Sequence, residues 1–197
     1  YSDYRESKRM KTLTPHQQPF WPEQATHESA ISLTVTWNIC GTGALFSPCR
    51  TWRYALWRVW DVEKPLLLVV GLNPSTADEA TNDATVTRCI ARAMAHDAGG
   101  LLVGNLFAYR STDPKALRTA LDPIGPENNA WLSRLADSAS TIICAWGTHG
   151  AHHNRDLHVR RRLDNVGNRP LWCLGTTKSG QPRHPLYLPY ATPLVPY

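Results

Sequence analysis

A chain of 197 residues fits one domain and can bury roughly 70% of the surface that its unfolded form exposes, so its core needs no metal or disulfide. Its 42% apolar and 19% charged residues exclude a disordered chain, and its net charge of +5 favours polyanionic partners without identifying nucleic acid. No apolar run approaches the roughly 20 residues that span a membrane, and the N-terminus is not signal-like. We therefore expect a soluble, cytoplasmic protein with no membrane partner.

The cysteines and histidines do not have the spacing of a metal site. The five cysteines include no C-x-x-C pair, which favours buried free thiols over zinc or a disulfide framework. The histidines between residues 149 and 158 have no cysteine or carboxylate partners at ligand spacing. The chain also lacks the P-loop, G-x-G-x-x-G and G-x-S-x-G motifs. We therefore expect no metal and no cofactor.

The beginning of the chain differs in composition from the rest. Residues 1–28 are polar and carry a basic cluster, which predicts a flexible N-terminal arm that either stays solvated or contacts a nucleic-acid backbone. Residues 29–197 are expected to form a single α/β domain. That domain opens with two predicted strands, at 31–37 and 53–60, which we interpret as antiparallel or edge strands with one solvent-exposed face.

Four apolar runs follow, separated by segments with helical periodicity. This alternation predicts a three-layer α/β/α fold, with a central and mostly parallel four-stranded sheet beside the N-terminal edge strands. Strands are predicted at 65–71, 101–107, 141–146 and 170–175, and helices at 85–98, 128–139 and 152–163.

Polar side chains follow each of these four strands. In open parallel sheets, ligands bind in the crevice beyond the carboxyl ends of the strands. The sequence therefore predicts a pocket around the turn 71–75, to which four loop segments contribute. These segments are residues 73–78, 105–110, 147–150 and 176–188.

Several residues in these loops have side chains suited to a ligand site, each with a structural alternative. Asn73 begins an Asn-Pro turn, and two carboxylates follow it, those of Asp78 and Asp83. Asp83 either caps the next helix or positions a water molecule near a ligand. Asn105 ends an apolar strand, where a buried amide either holds a loop or reads the Watson–Crick edge of a pyrimidine. His184 is either polar surface or a hydrogen-bond donor to a ligand carbonyl.

Taken in order, the motifs of residues 47–187 resemble those of the DUF1643 family of bacterial and phage-associated proteins. The signature of that family contains R-Y-x-L-x-R-x-W, G-L-N-P-S-T-A-D, N-D-x-T and N-L-F-A-x-R. In this chain these motifs begin at Arg53, Gly71, Asn82 and Asn105. Because the resemblance covers most of the chain, it is specific.

The same segments resemble, more distantly, the uracil-DNA glycosylase superfamily. The loop at 71–75 is similar to the G-I-N-P-G loop of the mismatch-specific branch, whose Asn helps to position the attacking water. Residues 105–114 are similar to the N-V-V-K-C-R-P-P stretch of the iron–sulfur branch, whose Asn reads the flipped base, and residues 131–147 fit the segment that follows. The tripeptide at 184–186 stands where the superfamily carries H-P-S, whose His contacts the base.

Three departures from the superfamily pattern modify what the resemblance implies. Tyr109 stands at the position of the cluster-binding Cys, so no iron–sulfur cluster is expected. Residues 75–78 replace a Gly-rich continuation and add polar groups at the pocket mouth, which favours a base other than plain uracil. Leu186 replaces the Ser of H-P-S, so the minor-groove contact of that loop is not carried over.

The resemblance implies a monofunctional DNA glycosylase that hydrolyses the N-glycosidic bond of a flipped, modified pyrimidine and leaves an abasic site. We expect a hydroxymethylcytosine-type base of phage DNA, host defence as the purpose, double-stranded DNA as the partner and a monomer. The implied roles are catalysis by Asn73, Asp78 and His184, substrate binding by Ser75, Asp83, Asn105, Tyr109 and Arg110, and contacts with the DNA backbone by Arg160, Arg161, Lys178 and Arg183.

Three other functions remain open from the sequence. One is repair of uracil or mismatched bases by the same chemistry. Another is a non-catalytic module that keeps the fold to bind a nucleotide or a DNA lesion. A third is an N-glycosidase acting on free nucleosides, which the basic composition disfavours.

Overall fold

The structure of this protein, a computed structural model, describes residues 40–113, 115–166 and 169–197. The predicted arm at 1–28 and the predicted strand at 31–37 lie outside the described residues. The strands within these ranges are β1 (Gly41–Phe46), β2 (Arg53–Val59), β3 (Leu66–Gly71), β4 (Gly100–Asn105), β5 (Thr141–Cys144), β6 (Leu171–Cys173) and β7 (Val195–Pro196).

These strands form one sheet in the order β1-β2-β4-β3-β5-β6-β7. The neighbouring strands β4, β3, β5 and β6 run parallel and correspond to the four apolar runs of the sequence. β2 pairs antiparallel with both β1 and β4, and β7 pairs antiparallel with β6. The predicted mixed α/β class is thus confirmed. The described sheet as a whole is mixed rather than mostly parallel, because β1, β2 and β7 add antiparallel pairs.

The strand predicted at 53–60 is β2, but its predicted solvent-exposed face was wrong. β2 lies between β1 and β4, and all its residues except Trp57 are buried. Gly43 of β1 approaches Trp57 so closely that a Cβ there would lie 2.2 Å from the indole ring. Arg53 and Arg58 gave β2 its polar appearance, yet both are buried and hydrogen-bond to loop carbonyls.

Helices cover both faces of the sheet. Leu101 and Val103 of β4 share a buried core cluster with residues from the helix at 84–95. Gly104 points to the other face, where an added Cβ would lie 2.8 Å from Leu132. Because side chains alternate along a strand, the helix at 84–95 and the helix containing Leu132 lie on opposite faces. The α-helices of the described residues are α1 (Ala84–Ala95), α2 (Ala116–Thr119), α3 (Asn128–Ser138) and α4 (Arg155–Asp164).

The helix predicted at 152–163 begins later than its apolar spacing suggests. Residues Thr148–Asn154 form 3-10 turns, and α4 begins at Arg155. His153 and Asn154 have φ values of 54° and 53°, in the left-handed region, which interrupts the helix. This change of direction carries the chain from the end of β5 to α4 and leaves residues 147–149 beside the carboxyl ends of the strands.

Candidate active site

A cavity of about 510 Å³ lies at the carboxyl ends of β3, β4 and β5. Its floor includes Val69 and Val103 from adjacent parallel strands and Cys89 from α1. Each of the four loop segments predicted from the sequence contributes to its wall. The register explains this convergence, because Gly71 at the end of β3 pairs with Asn105 at the end of β4. The volume is within the range of small-molecule sites.

Asn73 follows β3 and has a fixed orientation in the cavity wall. Its Nδ2 donates to the carbonyl of Ser111 at 2.8 Å and to that of Pro74 at 3.1 Å. Both amide protons are therefore engaged, and Oδ1 has no donor among the described residues. An amide oxygen held in this way is an acceptor for a water molecule or for a ligand N–H.

Asn105 is a buried amide whose side-chain nitrogen lacks a partner. The residue is only 4% exposed, and its Nδ2 donates to no protein acceptor. Asn128 of α3 donates to the backbone carbonyls of Asn105 and Leu106, and Arg155 of α4 also donates to Leu106. A buried donor without a partner costs about 1–3 kcal/mol. Because Asn105 lines the cavity, a ligand acceptor there would remove that cost.

His184 lies on the opposite wall, in the loop that follows β6. Its Nδ1 accepts the backbone N–H of Leu186 at 3.3 Å, so the neutral ring carries its proton on Nε2. Burial lowers the pKa of His184 below its usual value of 6.5, although the charge of Asp83 opposes the shift. At neutral pH His184 is therefore an uncharged hydrogen-bond donor.

Two further predicted substrate-binding residues, Ser75 and Asp83, line the cavity. Asp83 has the capping role that the sequence allowed, since its Oδ1 accepts the N–H of Val86 at 2.8 Å at the start of α1. It also lines the cavity, and among the described residues it is the one carboxylate that does so.

Three predicted site residues, Asp78, Tyr109 and Arg110, are not among the residues that line the cavity. The carboxylate of Asp78 accepts the backbone N–H groups of Ala80 and Thr81, so it closes its own turn. Tyr109 forms an isolated antiparallel bridge with Trp52. Arg110 lies over the ring of Phe46, 4.7 Å from its centroid. Each position follows a site residue closely in sequence, but the chain leaves the cavity after Ser75 and after Asn105, and it returns at Asp83 and at Ser111.

Sequence reasoning did not single out Arg53, which is part of the cavity wall. Arg53 is 2% exposed, its Nη1 donates to the carbonyl of Ala77 at 2.8 Å, and its Nε has no partner. Burial lowers the pKa of Arg53 to about 10, so the guanidinium stays charged at neutral pH. The signal in the sequence was the arginine that begins the R-Y-x-L-x-R motif, in a strand whose other residues, apart from Arg58, are apolar or aromatic.

A second buried arginine of β2, Arg58, holds the loop between Asn73 and α1 in place by hydrogen bonds. Its guanidinium donates to the carbonyls of Asp78 and Thr81, to the side chain of Asn82 and to two carbonyls of the β1–β2 pair. On the other side of the cavity, Arg92 of α1 donates to carbonyls of the segment after His184. Loops on two sides of the cavity are thus held by buried arginines.

The predicted DNA-backbone residues divide into two groups. Arg183 lines the cavity, and the exposed Lys178 directly follows the lining residue Thr177. Arg160 instead donates to the carbonyl of Tyr197 and lies over its ring, 4.7 Å from the centroid. Arg161 lies in a separate cleft on the surface of α3 and α4. Of the four residues, the structure therefore places Arg183 in the cavity lining, Lys178 next to a lining residue in sequence, and Arg160 and Arg161 away from the lining.

The cysteines depart in part from the expectation of buried thiols. Among the described residues, Cys89, Cys144 and Cys173 are buried and free, whereas Cys40 and Cys49 are exposed and free. The described residues contain no group of three or more histidine, cysteine or acidic side chains placed to hold a metal ion. Within the same part of the chain, no helix is both long and apolar enough to cross a membrane.

Comparison with known proteins gives one result. No curated protein and no solved structure matches the chain. The family model described as a protein of unknown function, DUF1643, matches residues 53–186. This range includes both arginines of β2 and every residue that lines the cavity except Tyr187 and Leu188. The chain belongs to the DUF1643 family.

Proposed function

We propose that this protein is a monofunctional DNA glycosylase that hydrolyses the N-glycosidic bond of a flipped, modified pyrimidine. The observation that carries the proposal is the convergence of Asn73, Asn105 and His184 on one cavity from three separate loops. These are the residues whose motifs resemble the water-positioning, base-reading and base-contacting motifs of the uracil-DNA glycosylase superfamily. The parallel strands β4, β3, β5 and β6 with helices on both faces are compatible with the three-layer fold of that superfamily.

In the proposed reaction, a water oxygen forms a bond to C1′ of the sugar as the bond from C1′ to N1 of the base breaks. The electron pair of the broken bond leaves with the base, which takes up a proton from solvent, while the attacking water releases one of its protons to solvent and becomes the hydroxyl on C1′. Oδ1 of Asn73 accepts a hydrogen bond from the attacking water, and the Nε2–H of His184 donates to the base oxygen that gains negative charge. Asn105 reads the base edge. A lysine is absent from the cavity wall of the described residues, so the proposal includes no Schiff-base step.

The substrate proposed is a hydroxymethylcytosine-type base of phage DNA, removed in antiviral defence. A cavity of about 510 Å³ is larger than an unsubstituted pyrimidine ring requires, which leaves room for a group attached to the base. Removal of uracil or mismatched bases in repair is the competing substrate class, and the same cavity would accommodate those smaller bases.

The rim of the cavity carries groups suited to a DNA duplex. Arg183 and Lys178 supply positive charge there, and such contacts with phosphates are sensitive to salt. Tyr187 lines the mouth with 82% of its surface exposed, so an aromatic side chain is available for stacking on a base. Extrusion of the target base costs a few kcal/mol, which contacts of this kind offset.

The test uses three duplex DNAs: unmodified, uracil-containing, and phage DNA with glucosylated hydroxymethylcytosine. Abasic sites are scored by alkali cleavage for the wild type and for Asn73→Ala and His184→Ala, with Arg161→Ala as the control outside the cavity. The proposal predicts sites in the modified DNA alone, lost in the two cavity variants and kept in the control. Sites in the uracil DNA alone would favour repair. Salt-sensitive binding of every variant without sites in any DNA would favour a binding module.

A further inference from the structure

Arg53 is a buried cation with fewer partners than its position demands. It is 2% exposed, and among the described residues only its Nη1 has an acceptor, while Nε is buried without one. The ion pairs among the described residues are Arg50–Glu79 and Lys64–Asp97, so no carboxylate lies in contact with the Arg53 guanidinium. A buried charge without an ion pair is costly, and natural proteins retain one chiefly where a ligand or a function compensates.

The charges around Arg53 do not neutralise it. The nearest carboxylates are those of Asp83 and Asp78, and each already accepts backbone N–H groups in its own turn or helix cap. Two more cations, Arg58 and Arg110, lie within electrostatic range and add positive potential. The remaining titratable groups of the cavity wall are Cys89, His149, Arg183, His184 and Tyr187.

Other described arginines also have a buried nitrogen without a partner, namely Arg92, Arg110 and Arg155, but of these four only Arg53 lines the cavity. Arg58 lies on the same strand and is buried to a similar extent, yet its three guanidinium nitrogens donate to five protein acceptors. Arg53 lies at the end of β2 that reaches the cavity and has one protein acceptor. Asn105, whose Nδ2 is buried without a partner, lines the same cavity. Two residues of the cavity wall thus carry buried donors, one of them charged, that have no acceptor among the described residues.

We propose that Arg53 makes the cavity selective for the anionic form of a heterocyclic base, with Asn105 as the second donor. This inference rests on the proposed function, in which breakage of the C1′–N1 bond leaves the electron pair on the base. The negative charge of a pyrimidine anion is shared between its ring nitrogens and its carbonyl oxygens, so it matches a wall of N–H donors. Arg53 is then a catalytic residue that stabilises the leaving group, in addition to the neutral His184.

Binding of free bases of graded acidity tests this proposal without DNA. The probes are uracil, 5-fluorouracil and 5-nitrouracil, which are progressively more acidic, and thymine, which is substituted at the same position but is no more acidic than uracil. Their affinities are measured by titration calorimetry at one pH and one salt concentration. The wild type should bind the bases in the order of their acidity, with thymine no tighter than uracil.

The variant Arg53→Gln should lose this order and weaken binding of the most acidic base roughly 10- to 100-fold, the loss expected for a hydrogen bond to a charged group. Arg161→Gln, outside the cavity, should behave as the wild type. Arg53→Lys keeps the charge and should keep part of the order, and it replaces Arg53→Gln if that variant does not fold. Equal affinities of the wild type for all four bases, no binding of any of them, or an unchanged order in Arg53→Gln would overturn the inference.

The two proposals fail separately. If the protein releases a base from DNA but its affinity for free bases does not increase with their acidity, the role of Arg53 is overturned and the glycosylase proposal stands. Affinities that follow acidity and depend on Arg53, without release of a base from any DNA, would instead overturn the glycosylase proposal and keep the cavity as a site for anionic heterocycles.

Discussion

The cavity wall and the loops that support it use buried polar side chains in opposite ways. Around the cavity, Arg58 donates from all three of its guanidinium nitrogens, mostly to backbone carbonyls, and so joins several loops. In the wall itself, Asn105 and Arg53 keep buried donors without protein partners. Satisfied groups stabilise the fold, whereas unsatisfied groups cost free energy until a ligand arrives. The comparison therefore separates residues expected to matter for stability from those expected to matter for function.

The largest expected effect is a loss of base release when a residue of the cavity wall is replaced. His184→Ala removes the donor to the leaving base and should slow base release roughly 100- to 1,000-fold, the usual loss of one preorganised donor. Single-turnover kinetics measure the rate, and thermal unfolding should show little loss of stability. His184→Gln, which keeps a donor, serves as the matched variant and should recover part of the rate. A rate unchanged in His184→Ala would remove His184 from the mechanism.

The next largest expected effect is a loss of stability when an arginine that supports the loops around the cavity is replaced. Arg58→Met keeps the apolar stem of Arg58 but leaves its buried carbonyl acceptors unpaired, which should cost about 3 kcal/mol of unfolding free energy. Urea unfolding measures this change, with Arg161→Met on the exposed surface of α4 as the control. If Arg53→Met destabilised the protein as much as Arg58→Met, the distinction between wall and support would not hold.

The pH dependence of base release sharpens the role of His184. Because burial lowers its pKa below 6.5, His184 is neutral above that pH and donates from Nε2. Protonation in acid adds a hydrogen to Nδ1 and breaks its bond with the N–H of Leu186. The rate should therefore be constant from pH 6.5 to well below the pKa of Arg53, about 10, and should fall as the pH drops through the lowered pKa of His184. A pH–rate profile measures this, and the acid limb should be absent in His184→Gln.

The smallest effects concern DNA binding. Arg183→Ala, at the cavity, should weaken binding to all DNA sequences and reduce the slope of log affinity against log salt by about one. Arg161→Ala, in the separate cleft on α3 and α4, should leave both unchanged. Fluorescence anisotropy at several salt concentrations measures the two variants. A larger loss of DNA affinity in Arg161→Ala than in Arg183→Ala would instead place the DNA-binding surface on α4.

Much of the central sheet could be predicted because its signals are local. The apolar runs that form β3, β4, β5 and β6 are long enough to be recognised as strands from the sequence alone. The cavity also followed from a general rule about the carboxyl ends of parallel strands. β1 and β7 were not predicted, because β1 depends on the packing of Gly43 against Trp57 and β7 consists of two residues paired with a distant strand.

The site could be predicted only in part, for a similar reason. Asn73, Asn105 and His184 end strands or follow them, so their place at the cavity comes from chain order. The burial of Arg53 and Arg58 depends on β1 covering β2, which no local pattern encodes. Asp78, Tyr109 and Arg110 lie outside the cavity lining, because the direction of a loop after the first site residue depends on hydrogen bonds such as those from Ala80 and Thr81 to Asp78.

The most direct test of the central claim is mass spectrometry of the small molecules released from DNA by the wild-type protein. Phage DNA that carries glucosylated hydroxymethylcytosine is incubated with the protein, and the filtrate is compared with that from His184→Ala and from unmodified DNA. The account predicts the free modified base in the wild-type filtrate alone, with strands that stay intact until alkali is added. Intact DNA and no free base from modified, uracil-containing or unmodified duplexes would contradict it.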